Sequence, residues 1–233
     1  MSERFDTFRK SAKDRARRAH QTFTDFCKRE SIAHAVSPPG PGSVTAAWHE
    51  KQGSDASLLI TEARFRDLVV VAGGGMSGEM MSSRDLGDVI LHAGRPVVLA
   101  PSKPSGPIRT VAIAWKETPE AARAITASMP LLSIAGRIIL LTANEENETA
   151  KKCIECSDSV AGHLRWHGLE AETRYVIPAG RSIPNAVLET ARETGADLLI
   201  MGAYGRSRLS ETIFGGFTQR VLAGTQLPVF LFH

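Results

Sequence analysis

Apolar and polar positions follow two rhythms along this chain. Short runs of aliphatic residues recur between longer stretches in which apolar residues return every three or four positions. The first long stretch, about 3–30, places Phe5, Phe8, Ala12, Ala16, Ala19, Phe23 and Phe26 at helical spacing, the stripe of a helix docked on a core. A short strand follows near 32–36. Ser37–Gly42 holds three prolines and two glycines, so it reads as a turn or loop. Residues 43–65 read as helical. The continuous apolar run 67–72 has the length of a buried strand and leads into Gly73–Gly75. A helix near 82–93 and a strand over 96–100 come next.

Residues 101–107, rich in proline, serine and glycine, form the clearest linker. Beyond it the alternation predicts strand 109–115, helix 118–132, strand 136–143, helix 148–167, strand 171–177 and helix 183–194. Strand 197–201, a glycine-bearing loop, a helix at about 216–223 and strand 228–232 complete the series. Ser182 is placed to cap helix 183–194, Pro184 suits its first turn and Gly195 its stop. Helices alternating with short strands are the pattern of an α/β protein with a mainly parallel sheet.

The same order of elements occurs twice. Asp67–Gly73 resembles Asp197–Ala203, and Val89–Leu99 resembles Val221–Leu231; each copy runs strand, glycine loop, helix, proline-led strand. The copies divide the chain at the linker, an incomplete first domain over 1–104 and a complete second over 107–233. The first copy has three candidate strands and the second five. The strand, helix and strand missing from the first would form the centre of its sheet, so Met1 is expected to be an internal start or the chain a shortened reading frame.

Composition narrows the class. The 233 residues, 42% hydrophobic and 23% charged, fit one large or two small globular domains and exclude a disordered or collagen-like chain. No apolar run approaches the ~20 residues of a membrane span, and the first residues lack the apolar core of a secretory signal. Three cysteines, Cys27, Cys153 and Cys156, give no even disulfide framework, so a reducing, cytoplasmic location is expected. Residues 1–30 carry nine basic and five acidic side chains. The apolar stripe on that segment makes the charges a solvated helix face, with neither nucleic acid nor membrane expected as partner.

The chemistry-bearing segment is Met201–Thr218. A buried strand ends at Met201, a glycine loop follows, and a helix begins near Gly216. Glycines let a ligand approach the main chain, and unpaired amides at a helix start suit a phosphate chain. Arg206 and Arg208 add positive charge; Ser207 and Thr218 offer hydroxyls. Open α/β sheets bind ligands beyond the carboxyl ends of their strands, where this loop falls. The plainer alternative is that Gly202, Gly205 and Gly215 serve only tight turns and helix–sheet packing.

The spacing Gly202-x-x-Gly205, nine residues, Gly215 resembles the nucleotide motif of the universal stress protein family, as do the flanks Ala196–Gly202 and Leu227–Leu231. The resemblance covers 108–233 well and 43–100 weakly. It implies an α/β fold of tandem universal-stress-protein-like units, adenine nucleotide alpha hydrolase-like, with open parallel sheets flanked by helices. It implies a stress-response regulatory protein that binds ATP or a related adenine nucleotide through Gly202, Gly205, Arg206, Ser207, Arg208, Gly215, Gly216, Phe217 and Thr218. Ala114, Trp115 and Met201 are the strand-end candidates for an adenine pocket. It also implies association through last strands, with 96–100 and 228–232 pairing across an internal pseudo-two-fold axis, or a homodimer or protein partner.

The chain departs from the family pattern in three places. Gly216 stands where the motif has Ser or Thr, leaving Thr218 to supply a hydroxyl. Lys116 stands where an Asp is usual, a phosphate cation in place of a carboxylate. In the first copy, counting from Gly74 puts Ser77, Gly87 and Asp88 at motif positions, a pattern not expected to bind nucleotide. Two alternatives stay open: a nucleotide-free interaction scaffold, and a slow ATP hydrolase that would need Mg²⁺. No catalytic residue is nominated.

Other constellations weaken on inspection. Cys153 and His167 would lie ~21 Å apart along one helix, beyond the reach of a single tetrahedral zinc ion. Cys153 and Cys156 fall inside a helix, whereas a thioredoxin-like pair needs its N-terminus. Arg165, Trp166 and His167 sit where helix termination before Gly168 explains them. No Lys-Ser/Thr follows Gly73–Gly75 as a P-loop would require. Intact-mass measurement of the native protein from its source tests the expected internal start: a mass matching residues 1–233 counts against it.

Overall fold

The computed structural model describes the chain apart from residues 1, 38–39, 41, 54, 73–80, 102–105, 144–149, 206–215 and 225. Two compact units divide it, Met1–Gly53 and Ser54–His233. The linker at 101–107 therefore does not separate compact units; it lies inside the second, because one sheet continues across it.

The first unit contains helix α1 (Ser2–Arg29) and a two-stranded parallel sheet, β1 (Ala33–His34) with β2 (Thr45–Ala46). The expected α1 stripe is only partly covered. Among its described side chains Ala12, Ala16 and Phe23 are half-buried, whereas Ala19 is exposed and Phe26, 45% exposed, lies beneath the Arg29 guanidinium; the adjacent Cys27 is buried. Phe23 packs instead in a ring cluster with His20, His34 and Trp48. The strand near 32–36 thus forms, but it pairs with β2 and not with the main sheet.

Two sequence expectations need correction. Residues 43–65 are not one helix: β2 and an irregular stretch precede α2 (Asp55–Ala63). The β-branched pair Val44–Thr45 favours extended backbone, and Gly53 costs a helix interior ~1 kcal/mol, so the helix starts only after it. Ser182 occupies the N-cap position of its helix but its side chain makes no capping hydrogen bond.

The second unit is a seven-stranded sheet, in spatial order β3 (Val69–Ala72), β4 (Val97–Ala100), β9 (Val229–Phe232), β8 (Leu198–Gly202), β5 (Thr110–Trp115), β6 (Arg137–Thr142) and β7 (Ala171–Tyr175). All neighbours are parallel except β4 and β9. Those two run antiparallel, Val97 opposite Leu231 and Leu99 opposite Val229, the pairing that the family resemblance implied. This ladder joins two sets of parallel strands into one mixed, mostly parallel sheet flanked by helices, the α/β architecture expected from the sequence.

Strand alternation sorts the core onto two faces. Val111, Ile113, Leu140, Leu198, Ile200 and Phe230 face helices α4 (Pro119–Leu132) and α5 (Ala150–Trp166). Ala112, Ile139, Leu141, Leu199, Met201 and Leu231 face the other side, with α3 (Ser83–His92), α6 (Ile183–Glu193) and α7 (Gly216–Leu222). Each fully buried aliphatic side chain contributes ~1.5–3 kcal/mol relative to exposure. Two helices stop as glycine signals require. Gly168 and Gly195 both adopt φ of +73°, and the following amides reach back to Leu164 and Ala191, closing Schellman turns. No described helix is long and apolar enough to cross a membrane.

At β7, Arg137 of the neighbouring strand donates from Nε and Nη2 to the two carboxylate oxygens of Glu172, both at 2.7 Å. This pair holds the Glu172 carboxyl below its ordinary value. Charged side chains of this kind blunt an edge against further pairing.

Asp197 ties the two central strands together at their start. Its carboxylate accepts from the amides of Arg109 and Thr110, both at 2.9 Å, across 87–88 residues of sequence. Replacing Asp197 by Ala should lower unfolding free energy by ~2 kcal/mol, and Asp197→Asn by less, since one acceptor oxygen remains. Urea denaturation of the three proteins measures the difference.

Candidate functional site

β5 is the first strand of its set in sequence but lies inside the sheet, between β8 and β6. The helix leaving β5 covers one face and the helix leaving β8 covers the other, so their connections diverge beyond the carboxyl ends. A crevice at such a switch point follows from the topology. Here it is a cavity of about 490 Å³.

Its walls come from six elements. Ala114, Trp115 and Lys116 close β5; Leu141 and Ala143 come from the end of β6; Met201 and Gly202 end β8. Thr118 and Ala121 belong to the start of α4, Ile183 and Val187 to α6, and Gly216, Phe217 and Thr218 to the start of α7. Ala114, Lys116, Met201, Gly202, Gly205, Gly216, Phe217 and Thr218, all nominated from the sequence, therefore converge on one cavity. Arg206, Ser207, Arg208 and Gly215 lie outside the described residues. In the first copy, Gly74 and Ser77 also lie outside them, while Gly87 and Asp88 are within α3, not at its start.

Gly202 has a packing reason for its identity. A Cβ built there would meet the Ala121 amide nitrogen at 2.5 Å and the Glu120 carbonyl carbon at 2.7 Å, so α4 rests directly on the end of β8. Gly205 differs: its nearest neighbours would be Glu120 Oε2 and Thr118 Cγ2, both at an ordinary 3.6 Å. At Gly216 nothing stands within 4 Å of a Cβ. One of the three glycines thus serves close packing, and two leave room beside the backbone.

The amides of the loop are partly committed. Ala203 N–H donates to the Phe232 carbonyl at 2.8 Å, and Tyr204 N–H to Thr218 Oγ1 at 3.3 Å. Thr218 is buried, and its oxygen holds the loop to the first turn of α7 while its own hydrogen remains a donor. Tyr204 sits at φ of +61°, uncommon for a side chain of this bulk, with its ring 6.1 Å from that of His233. Burial first, and then the Asp88 charge, push its phenol above the ordinary value, so it stays protonated at neutral pH.

Electrostatically the cavity is set toward anions. Lys116 lines it, and first-turn residues of both α4 and α7 stand in its wall, at the ends of those helices where the dipole is positive. Thr118 caps α4 by accepting from Ala121 N–H at 3.3 Å, with Pro119 in the first turn. Glu120 is the opposing charge, and Arg123 pairs with it at 3.2 Å. Trp115 belongs to two environments. Its side chain packs on the α4–α5 side, where it also lines a second cavity of about 440 Å³ with Cys156 and His163, whereas Ala114 packs on the α6–α7 side.

Sequence reasoning missed Thr118, Ala121, Leu141, Ala143, Ile183, Val187 and Tyr204. Thr118-Pro119 was a readable signal: a helix start directly after a buried strand, at the same sheet end as the glycine loop. Ile183 and Val187 carried no local mark beyond their helical spacing.

Replacing Gly202 by Ala should destabilise the fold by ~2 kcal/mol or more, because backbone and not a pliant side chain must give way. Gly216→Ala should be tolerated within ~1 kcal/mol. Chemical denaturation of both variants checks the contrast.

Among curated proteins none matches the chain significantly. A universal stress protein from Archaeoglobus fulgidus DSM 4304 superposes with a TM-score of 0.62 at 16% identity, over 81% of this chain and 71% of its own. A putative universal stress protein from Pseudomonas aeruginosa UCBPP-PA14 gives 0.57 at 14% identity, over 91% and 77%. A functionally unknown protein from Pseudomonas aeruginosa PAO1 gives 0.56 at 13%, over 92% and 76%. At such identities these likenesses speak for the fold. The sequence itself matches the family model for the universal stress protein family over residues 140–233, from β6 through the glycine loop to β9, so the chain carries a domain of that family.

Proposed function

We propose that the cavity at the carboxyl ends of β5 and β8 binds ATP or a related adenine nucleotide, and that the protein acts as a stress-response regulator through that ligand. One observation carries the reading. Every sequence-nominated residue that the structure describes lines the same cavity, at the switch point of a doubly wound sheet. Its volume of about 490 Å³ lies within the ~300–1,000 Å³ range of small-molecule sites.

The roles divide by chemistry. Ala114, Leu141, Ile183, Val187 and Met201 offer an apolar slot for a base. The first-turn amides of α7 (Gly216, Phe217, Thr218), with Lys116, offer donors and charge for phosphates. A nucleotide-free scaffold is the second reading. It is favoured by the consumption of the Ala203 and Tyr204 amides within the fold and by the packing role of Gly202.

Thermal-shift titration with ATP, ADP and AMP, with and without Mg²⁺, separates the readings, since a ligand that binds only the native state raises its stability. ATP is expected to raise the melting temperature. A protein that melts identically at millimolar ATP would be the scaffold. Gly205→Val should fold and lose the shift, because its methyls fill the space beside Thr118. Gly216→Ser should strengthen binding several-fold, by restoring a hydroxyl donor worth ~1 kcal/mol in open space.

A further inference from the structure

His163 and His167 lie four residues apart on α5 and its C-terminal turn, both exposed, and neither takes part in the cavity of the glycine loop. Four residues is the spacing that stacks side chains on one helix face. Their ring centroids are 5.0 Å apart and their planes cross at 72°. An ion ~2.1 Å from a ring nitrogen lies ~3.2 Å from that ring's centroid. Two imidazoles on neighbouring coordination positions, ~90–109° apart, then have centroids ~4.5–5.2 Å from each other. The observed separation falls inside that interval.

From this geometry we infer that His163 and His167 form a two-point site for a divalent late first-row metal ion, the imidazole-seeking class of Cu²⁺, Ni²⁺ and Zn²⁺. The surroundings agree in sign. The pair stands at the C-terminal end of α5, where the dipole favours a cation, and the neighbouring Arg165 is directed to Glu170 at 3.9 Å. Among the described residues no third His, Cys, Asp or Glu joins the pair. The protein therefore supplies two ligands, and water or a donor from another molecule fills the remaining positions. The site differs from the zinc constellation excluded above: it uses neither cysteine, and its two ligands are one turn apart.

The test is isothermal titration of the full chain, without a polyhistidine tag, with NiCl₂. The protein is expected to take up one equivalent saturably. His163→Asn and His167→Asn should each weaken uptake at least tenfold, whereas Cys156→Ser should leave it unchanged. Circular dichroism of each variant checks that α5 is retained, and Ni²⁺ should broaden the ring C–H resonances of His163 and His167 before those of His20, His34, His49, His92 and His233. Affinity that survives either histidine substitution within twofold, or that falls in Cys156→Ser, would overturn the inference. Broadening spread evenly over all seven histidines would do the same.

Discussion

A backbone contact without side chains governs the site: the end of β8 at Gly202 lies directly under the first turn of α4 at Ala121. The gap has no room for a methyl group. With α4 at this height, its capped start, the carboxyl ends of β5 and β8, and the loop leaving Gly202 must all open onto the same space. The 490 Å³ cavity is the remainder of that arrangement. Any larger residue at 202 would lift the helix and widen the crevice between two elements that share no covalent neighbour.

A second constraint is the antiparallel ladder between β4 and β9. Each strand ends a strand–helix–strand series, and each would otherwise present an unpaired edge of apolar residues. Their pairing makes one sheet from two sets of strands, with Val97, Leu99, Val229 and Leu231 buried in a common core. The consequence reaches the site. Met81, Leu86 and Val89, around α3, belong to the same apolar cluster as Tyr204 and Phe217, so residues on both sides of the β4–β9 ladder share the core behind the cavity.

The charges around the cavity follow from where helices begin. Two helix starts line it, one capped by Thr118 and one opened by Gly216, and Lys116 adds a basic side chain. Glu120 is held by Arg123, which reduces its opposition to an anion at the same helix start. The cavity wall thus combines apolar strand-end and helix side chains with one lysine and the first turns of two helices.

The chain's local periodicities were sufficient for most element positions. α1, α3 to α7 and the seven strands of the sheet follow from spacings of two and 3.6, and from Gly168 and Gly195 as stops. These are near-neighbour properties, written within a few residues of where they act. The span 43–65 failed because its helical spacing is weak against Val44–Thr45 and Gly53, and local rules alone rank such conflicts poorly. The glycine loop was legible as a candidate site, but the reason for each glycine was not. Gly202 answers to Ala121, Thr118 to Gly205, and Val97 to Leu231, pairs separated by 80 residues or more whose meeting depends on sheet order and handedness. Spacing along the chain carries no record of which distant backbone will arrive, so the packing role of Gly202 and the remaining walls of the cavity were decided only when the strands took their places.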